Sequence, residues 1–180
     1  KVLVLDMGAN LIHRFDLSGA YRDRLLEISQ LDPGEQNLGS AFAVDRDGRL
    51  VITDVAQQQA LLLDPFLNLK LRIGGPGGLD DQFTDPSGVA FRPDGSFLIA
   101  DRGNRRLVWY GRLGFFEDNV GGEFDVDNPF VAPQALACDR FGNVFARNVR
   151  NKSCPVVMLS ASSTSTHTKP RRPARAEMSS

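Results

Sequence analysis

Shifted against itself by 47 residues, the sequence aligns Gly48 with Gly95 and Gly142, and Pro86 with Pro133, with Gly39 in the same slot. Phe83 meets Phe130, and Gly74-Gly75 meets Gly121-Gly122. Asp54 meets Asp101 and then Asn148, Asn104 meets Asn151, and Asp6 joins with one residue of slippage. A fixed period marks a chain built by stacking copies of one supersecondary unit, and it limits the fold more than any property of composition.

Every unit reads alike. SGVAF (87–91) leads to a tight turn at Asp94-Gly95, where glycine accepts positive φ. SFLIA then ends at Asp101, and after a polar turn come RLVWY, a glycine-bearing turn and GFFEDNV. The preceding unit supplies SAFAVD, RLVITD, ALLLD and LKLRIG at the same places. These runs are short, rich in β-branched and aromatic residues, bounded by turn residues and free of any sustained 3.6 period. The chain is therefore expected to be all-β. Four such strands with their turns need roughly 40 to 50 residues, the size of a propeller blade.

Residues 1–159 hold room for about three and a half four-stranded blades, whereas propellers close with roughly four to eight. The expectation is thus a β-propeller fragment whose first unit lacks an innermost strand that would precede Lys1. An open arc exposes strand edges and apolar blade faces. The fourth unit departs from the pattern: Asn148 stands for the aspartate, and Pro155 falls where a third strand would run. Residues 160–180 are mostly Ser, Thr, Pro, Lys and Arg, a composition that predicts disorder and an end foreign to the repeat.

The stretch GGLDDQFTDPSGVAFRPDGSFLIADRGNRRLVWY (77–110) resembles an NHL repeat. The family's slots are filled by Gly78, Phe83, Pro86, Gly88-Val89-Ala90-Phe91, Gly95, Ile99-Ala100-Asp101, Asn104, Arg106 and Leu107. The second unit carries Gln57 and Gln59 in place of the Asn and Arg, and the fourth carries Ser153 in place of the Arg. The resemblance spans roughly residues 1 to 157 and implies a parent propeller of six blades. Propellers of this kind serve unrelated functions.

The recurrence of Asp6, Asp54 and Asp101, with Asn148 in the fourth unit, points to architecture, because a catalytic residue is needed only once. An aspartate ending a strand accepts backbone N–H bonds from the turn beyond it. In this reading Asn104 and its counterpart Asn151 supply left-handed backbone, and Arg106 reaches across to a carboxylate or carbonyl. Alternating strand direction places the turns after strands two and four on one face. That face gathers Arg102 and Arg105 with the inter-blade loops bearing Asp32, Glu35, Asp80, Asp81, Asp85, Asp125, Asp127 and Asn128. Loops on a rigid scaffold are where binding resides, so these residues form a candidate binding face.

No catalytic set emerges. Glu123, Asp125 and Asp127 offer oxygen ligands of the sort Ca²⁺ takes, but without the glycine and closing glutamate of an EF-hand. His13 and His167 are the only histidines, fewer than the three protein ligands of a catalytic zinc. No nucleophile elbow occurs. Cys138 and Cys154 fall on non-adjacent strands about 9.5 Å apart, too far to bridge. No cofactor is expected.

The leading expectation is a non-enzymatic scaffold that presents one propeller face to a protein, peptide or small ligand. The alternative is part of a metal-dependent propeller enzyme, since NHL-like propellers include amidating lyases and related six-bladed folds include lactonases. A third reading, RNA binding, follows from the family. Against it, residues 1–159 carry 17 basic and 21 acidic side chains, whereas nucleic acid wants a positive stripe. No apolar run approaches the length of a membrane-spanning helix.

Overall fold

The computed structural model describes residues 1–32, 34–122, 130–149 and the backbone of 156–159. Four antiparallel sheets follow one another along the chain. The first holds β1 (Val2–Asp6), β2 (Leu11–Phe15) and β3 (Tyr21–Glu27), and a single 3-10 turn, Ile28–Gln30, follows it. The second holds β4 (Gly39–Val44), β5 (Leu50–Asp54), β6 (Gln59–Leu63) and β7 (Leu69–Gly74). The third holds β8 (Pro86–Phe91), β9 (Phe97–Asp101), β10 (Arg106–Tyr110) and β11 (Phe116–Gly121). The fourth holds β12 (Pro133–Cys138), β13 (Val144–Asn148) and β14 (Val156–Leu159). Within each sheet strands pair in sequence order, so every sheet is a meander. The molecule is an all-β arc of a propeller, and its described residues form four blades of three, four, four and three strands.

The sequence period reappears as packing. Leu50, Ile52, Leu61 and Leu63 pack on Leu3, Leu5, Ile12 and Ile28 of the first blade's side. Shifted by 47 residues, Phe97, Ile99, Val108 and Tyr110 pack on Val51, Ala60, Leu62 and Ile73 of the second blade. The third blade meets the fourth through Leu98, Ala100 and Leu107 against Val144, Ala146 and Phe130. Both faces of β5, β6 and β9 are therefore covered, and each of their residues is buried. That explains why their sequences are almost uninterruptedly apolar rather than alternating. In β1, an equally apolar run, Val2 and Val4 stay exposed, because among the described residues no sheet packs on that side. β1 occupies the place of a blade's second strand: Asp6 corresponds to Asp54 at the end of β5.

Along the inner edge, β8 lies between β4 and β12. Ser40 Oγ donates to Pro86 O at 3.1 Å, and Ser87 Oγ donates to Pro133 O at 3.0 Å. The same bond thus ties the second blade to the third and the third to the fourth. Gly88 permits this approach. A Cβ there would lie 2.8 Å from Ala135 Cα and 2.9 Å from Leu136 N, both backbone atoms of the neighbouring blade.

The fourth blade corrects one expectation. In the third blade Phe97 faces Tyr110, so the 47-residue register predicts Val144 opposite Val157. Val144 instead faces Leu159, two residues later. Proline has no N–H to give a ladder and is excluded from central strands. β14 spans Val156–Leu159, so the expectation that Pro155 interrupts the third strand falls outside the described residues. Cys154 and Pro155 themselves, and residues 160–180, lie outside the described residues.

Candidate binding face

The polar turn of the third blade is built around Asp101, which is fully buried at the end of β9. One carboxylate oxygen accepts the Thr84 backbone N–H at 2.8 Å. The other accepts Asn104 Nδ2 at 2.7 Å and Arg106 Nε at 3.0 Å. Burial pushes the Asp101 carboxyl above its ordinary value, and these three donors pull against that shift.

Arg106, itself 6% exposed, uses its far nitrogen on the loop above: Nη2 donates to Leu79 O and to Gln82 O, both at 2.6 Å. Asn104 Nδ2 also donates to Gly77 O at 2.9 Å. Phe83, fully buried in the core, takes its N–H bond to Gly75 O at 2.8 Å. Residues 75–85 are thus held from below by a buried polar clamp, while Leu79, Asp80 and Asp81 stand exposed at the tip.

The clamp recurs with changes. Asp54 accepts the Leu38 N–H at 2.9 Å, and Gln59, in the slot of Arg106, donates to Asp54 at 3.3 Å. Asn148 accepts the Val131 and Ala132 N–H groups at 2.9 and 3.0 Å. Asp6 closes its own turn by accepting Ala9 N at 3.0 Å. In all four blades, then, this position receives backbone N–H groups. Asn151 lies outside the described residues.

The left-handed residue of the turn is not Asn104, as expected, but Arg105 (φ 57°), in register with Gln58 (φ 51°) and Asn10 (φ 58°). The reason is spacing. Asn104 is held by its two side-chain bonds, and the reversal of the chain falls one residue later, where Arg105 exposes its side chain.

Of the charged residues on this face, Arg102 is ion-paired with Asp85, its Nε lying 2.5 Å from the carboxylate. Asp85 is itself left-handed (φ 63°), which costs a non-glycine residue about 1 kcal/mol. Asp80 accepts Asn119 Nδ2 at 3.1 Å, and Asp32 accepts Arg72 Nε at 2.6 Å. Arg106 points inward and is not displayed. Glu123, Asp125, Asp127 and Asn128 lie outside the described residues.

Sequence reading missed Asn10, whose Nδ2 donates to Asn37 O at 2.7 Å and whose Oδ1 accepts Gly39 N at 3.0 Å, joining the first blade to the second. Its signal was the slipped position shared with Gln58 and Arg105. Ser40, Ser87 and Thr53 were also missed. Ser40 and Ser87 recur at the repeat period, and that recurrence was available.

His13 is partly buried on β2 with its ring 5.9 Å from that of Tyr21. Burial raises the pKa of the Cys138 thiol. Among the described residues no group of three or more His, Cys, Asp or Glu side chains is arranged to hold a metal.

No family model matches the chain. Rat (Rattus norvegicus) peptidylglycine alpha-amidating monooxygenase is 31% identical over 111 residues, which is 56% of this chain and 11% of the rat protein. Among solved structures, a gluconolactonase from Xanthomonas campestris superimposes with a TM-score of 0.63 at 19% identity, over 88% of this chain and 54% of that one. A chain of the nidogen/laminin complex gives 0.62 at 16% identity, over 83% and 54%. Virginiamycin B lyase from Staphylococcus aureus gives 0.59 at 14% identity, over 90% and 52%. At these identities the likeness is one of fold. The chain spans about half the length of these structures, and they include both enzymes and a protein from a binding complex.

Proposed function

We propose that this arc is a non-enzymatic binding scaffold of the NHL-repeat kind, belonging to a six-bladed parent, which reads a protein or peptide with the loop face. One observation carries the reading. Residues 75–85 are clamped by buried bonds from Asp101, Asn104 and Arg106, while Leu79, Asp80 and Asp81 are offered to solvent. A loop fixed in advance loses little conformational freedom on binding, which favours affinity. An apolar side chain beside two carboxylates suits a basic segment that carries an apolar anchor. Asp85 and Arg102 border this tip, and Arg105 lies on the same face. The acidic balance of residues 1–159 speaks against RNA. The nidogen/laminin likeness is compatible with a protein partner.

Panning a random peptide library against the chain tests the reading. Selected peptides should be basic, and the triple variant Leu79→Ala, Asp80→Lys, Asp81→Lys should bind them at least about tenfold more weakly, about 1.4 kcal/mol. Equal affinity for the variant would remove the loop from the site.

A second reading, a segment of an amidating-lyase-like enzyme, is favoured by the 31% identity with the rat protein. The described residues do not fit a metal centre of that kind, so its ligands would have to come from elsewhere in the parent. Elemental analysis of the purified full-length parent protein separates the two: stoichiometric bound metal supports the enzyme, and none supports the scaffold.

A further inference from the structure

The buried clamp of the third blade has a counterpart in the second that lacks the cation. In three hairpins the aspartate closing one strand pairs with the residue opening the next: Asp101 with Arg106, Asp54 with Gln59, and Asp6 with Leu11. Asp6 is exposed, so Leu11 leaves no buried charge behind. Asp54 is fully buried, as Asp101 is. Asp101 meets the Arg106 guanidinium, whereas Asp54 meets neutral donors, and among the described residues no cation pairs with it. We propose that the second blade takes this cation from its ligand, as the guanidinium of an arginine in the basic peptide inferred above, on which reading the assignment rests.

Three observations carry it. First, the two oxygens of Asp54 are unequally served. Oδ1 accepts the Leu38, Ala56 and Gln57 N–H groups at 2.9, 3.0 and 3.3 Å. Oδ2 accepts only Gln59 Nε2 at 3.3 Å, and the same nitrogen lies 3.5 Å from Asn37 Oδ1. Good N–H···O bonds measure about 2.7–3.2 Å, so the Gln59 amide is a poor substitute for Arg106. A buried carboxylate oxygen this short of donors is costly.

Second, the acceptors that Arg106 uses are repeated. Its Nη2 bonds the carbonyls of Leu79 and Gln82, in a turn closed by the Gln82 N–H on Leu79 O at 3.0 Å. At the 47-residue spacing the Glu35 N–H bonds Asp32 O at 3.1 Å. The same turn thus recurs with the Asp32 and Glu35 carbonyls, and no side-chain donor among the described residues bonds either one.

Third, Asn37 lies beside Gln59 and is 4% exposed, yet its Nδ2 has no partner among the described residues. That donor suits a carbonyl of the peptide that brings the arginine. Local charge agrees: Asp32, Glu35 and Asp54 stand against one guanidinium, that of Arg72, which Asp32 binds at 2.6 Å and on which Glu35 also acts. The entering guanidinium displaces the lightly held Gln59 amide. Its planar fork of donors can serve a carboxylate and two carbonyls together, which an ammonium does less well.

Titration of the full chain with N-acetyl-arginine amide, followed by amide NMR, tests the assignment. The Glu35, Leu38, Ala56 and Gln57 N–H signals should shift saturably, with a Kd of about 10 mM or tighter. N-acetyl-citrulline amide, alike in shape but neutral, should leave them unmoved. N-acetyl-lysine amide should bind at least about tenfold more weakly. Gln59→Arg supplies the guanidinium from within and should abolish binding while raising the urea midpoint. Gln59→Ala removes the competing amide and should bind at least as well as the parent. The amide signals of β9 and β10 should stay in place in both variants, which reports that both fold. The triple variant Leu79→Ala, Asp80→Lys, Asp81→Lys should still bind arginine amide, so the tip and this site are read separately.

Absence of a saturable shift, equal binding of the citrulline probe, or binding retained by Gln59→Arg overturns the assignment. Loss of binding in Gln59→Ala does so too. Peptide capture with no arginine-dependent shift at these amides would keep the scaffold reading and sink this site.

Discussion

Tyr110 illustrates how a single residue departs from its slot. Its counterpart in the second blade is Leu63, and both positions are fully buried. The ring stacks on Phe97 at 5.5 Å and approaches Phe83 at 6.2 Å, so the apolar body is well used. The hydroxyl has no hydrogen-bond partner among the described residues, and burial raises its pKa. A buried donor without a partner costs about 1–3 kcal/mol. Tyr110→Phe keeps the ring and removes that cost, so it should leave the chain as stable as the parent or more stable by about 1 kcal/mol. Urea unfolding measures it, and a loss above that size would mean the hydroxyl is satisfied. Asp101 is the opposite case: a buried carboxylate with three donors, one of them Arg106, where truncation would strand a buried guanidinium.

Among elements, the inner strands decide how closely blades approach. The bonds from Ser40 and Ser87 to prolyl carbonyls of the next blade need β4, β8 and β12 side by side, and Gly88 leaves the space. Gly88→Ala would put a methyl against the backbone of Ala135 and Leu136, which cannot step aside as a flexible side chain would. The expected cost is about 1–3 kcal/mol in a urea titration, the range for overpacking. An unchanged midpoint would show that β8 and β12 lie farther apart. Strand identity was legible because the runs are short, β-branched and bounded by turn residues. The Ser40 and Ser87 bonds were not, because a serine opening a strand reads as a solvated turn residue until its neighbour is known. The two-residue displacement of β14 was hidden for a related reason. The repeat register pairs Val144 with Val157, and no sequence feature within 156–159 marks the shift of that pairing to Leu159.

For the whole molecule, the 47-residue register was enough to predict blades, because neighbouring blades pack on one another through residues at repeat-equivalent positions. It also marked Asp6, Asp54, Asp101 and Asn148 as one position in four copies. What it could not convey was direction. Arg106 and Arg102 differ by four residues in one basic turn, yet Arg106 runs inward to the carbonyls of Leu79 and Gln82 and Arg102 outward to Asp85. Strand alternation separates them only after the register of β10 is known.

The central claim is that Asp101, Asn104 and Arg106 exist to hold residues 75–85 in place. Amide hydrogen exchange on an Arg106→Met variant tests it most directly. The Gly77 and Phe83 N–H groups bond within the loop, to Phe83 O and Gly75 O, and the Gln82 N–H bonds to Leu79 O. These amides, with that of Thr84, should exchange at least about tenfold faster, about 1.4 kcal/mol of lost protection. Those of β5 and β6 should keep their protection. Unchanged protection of the loop, or a uniform loss through every blade, would contradict the account.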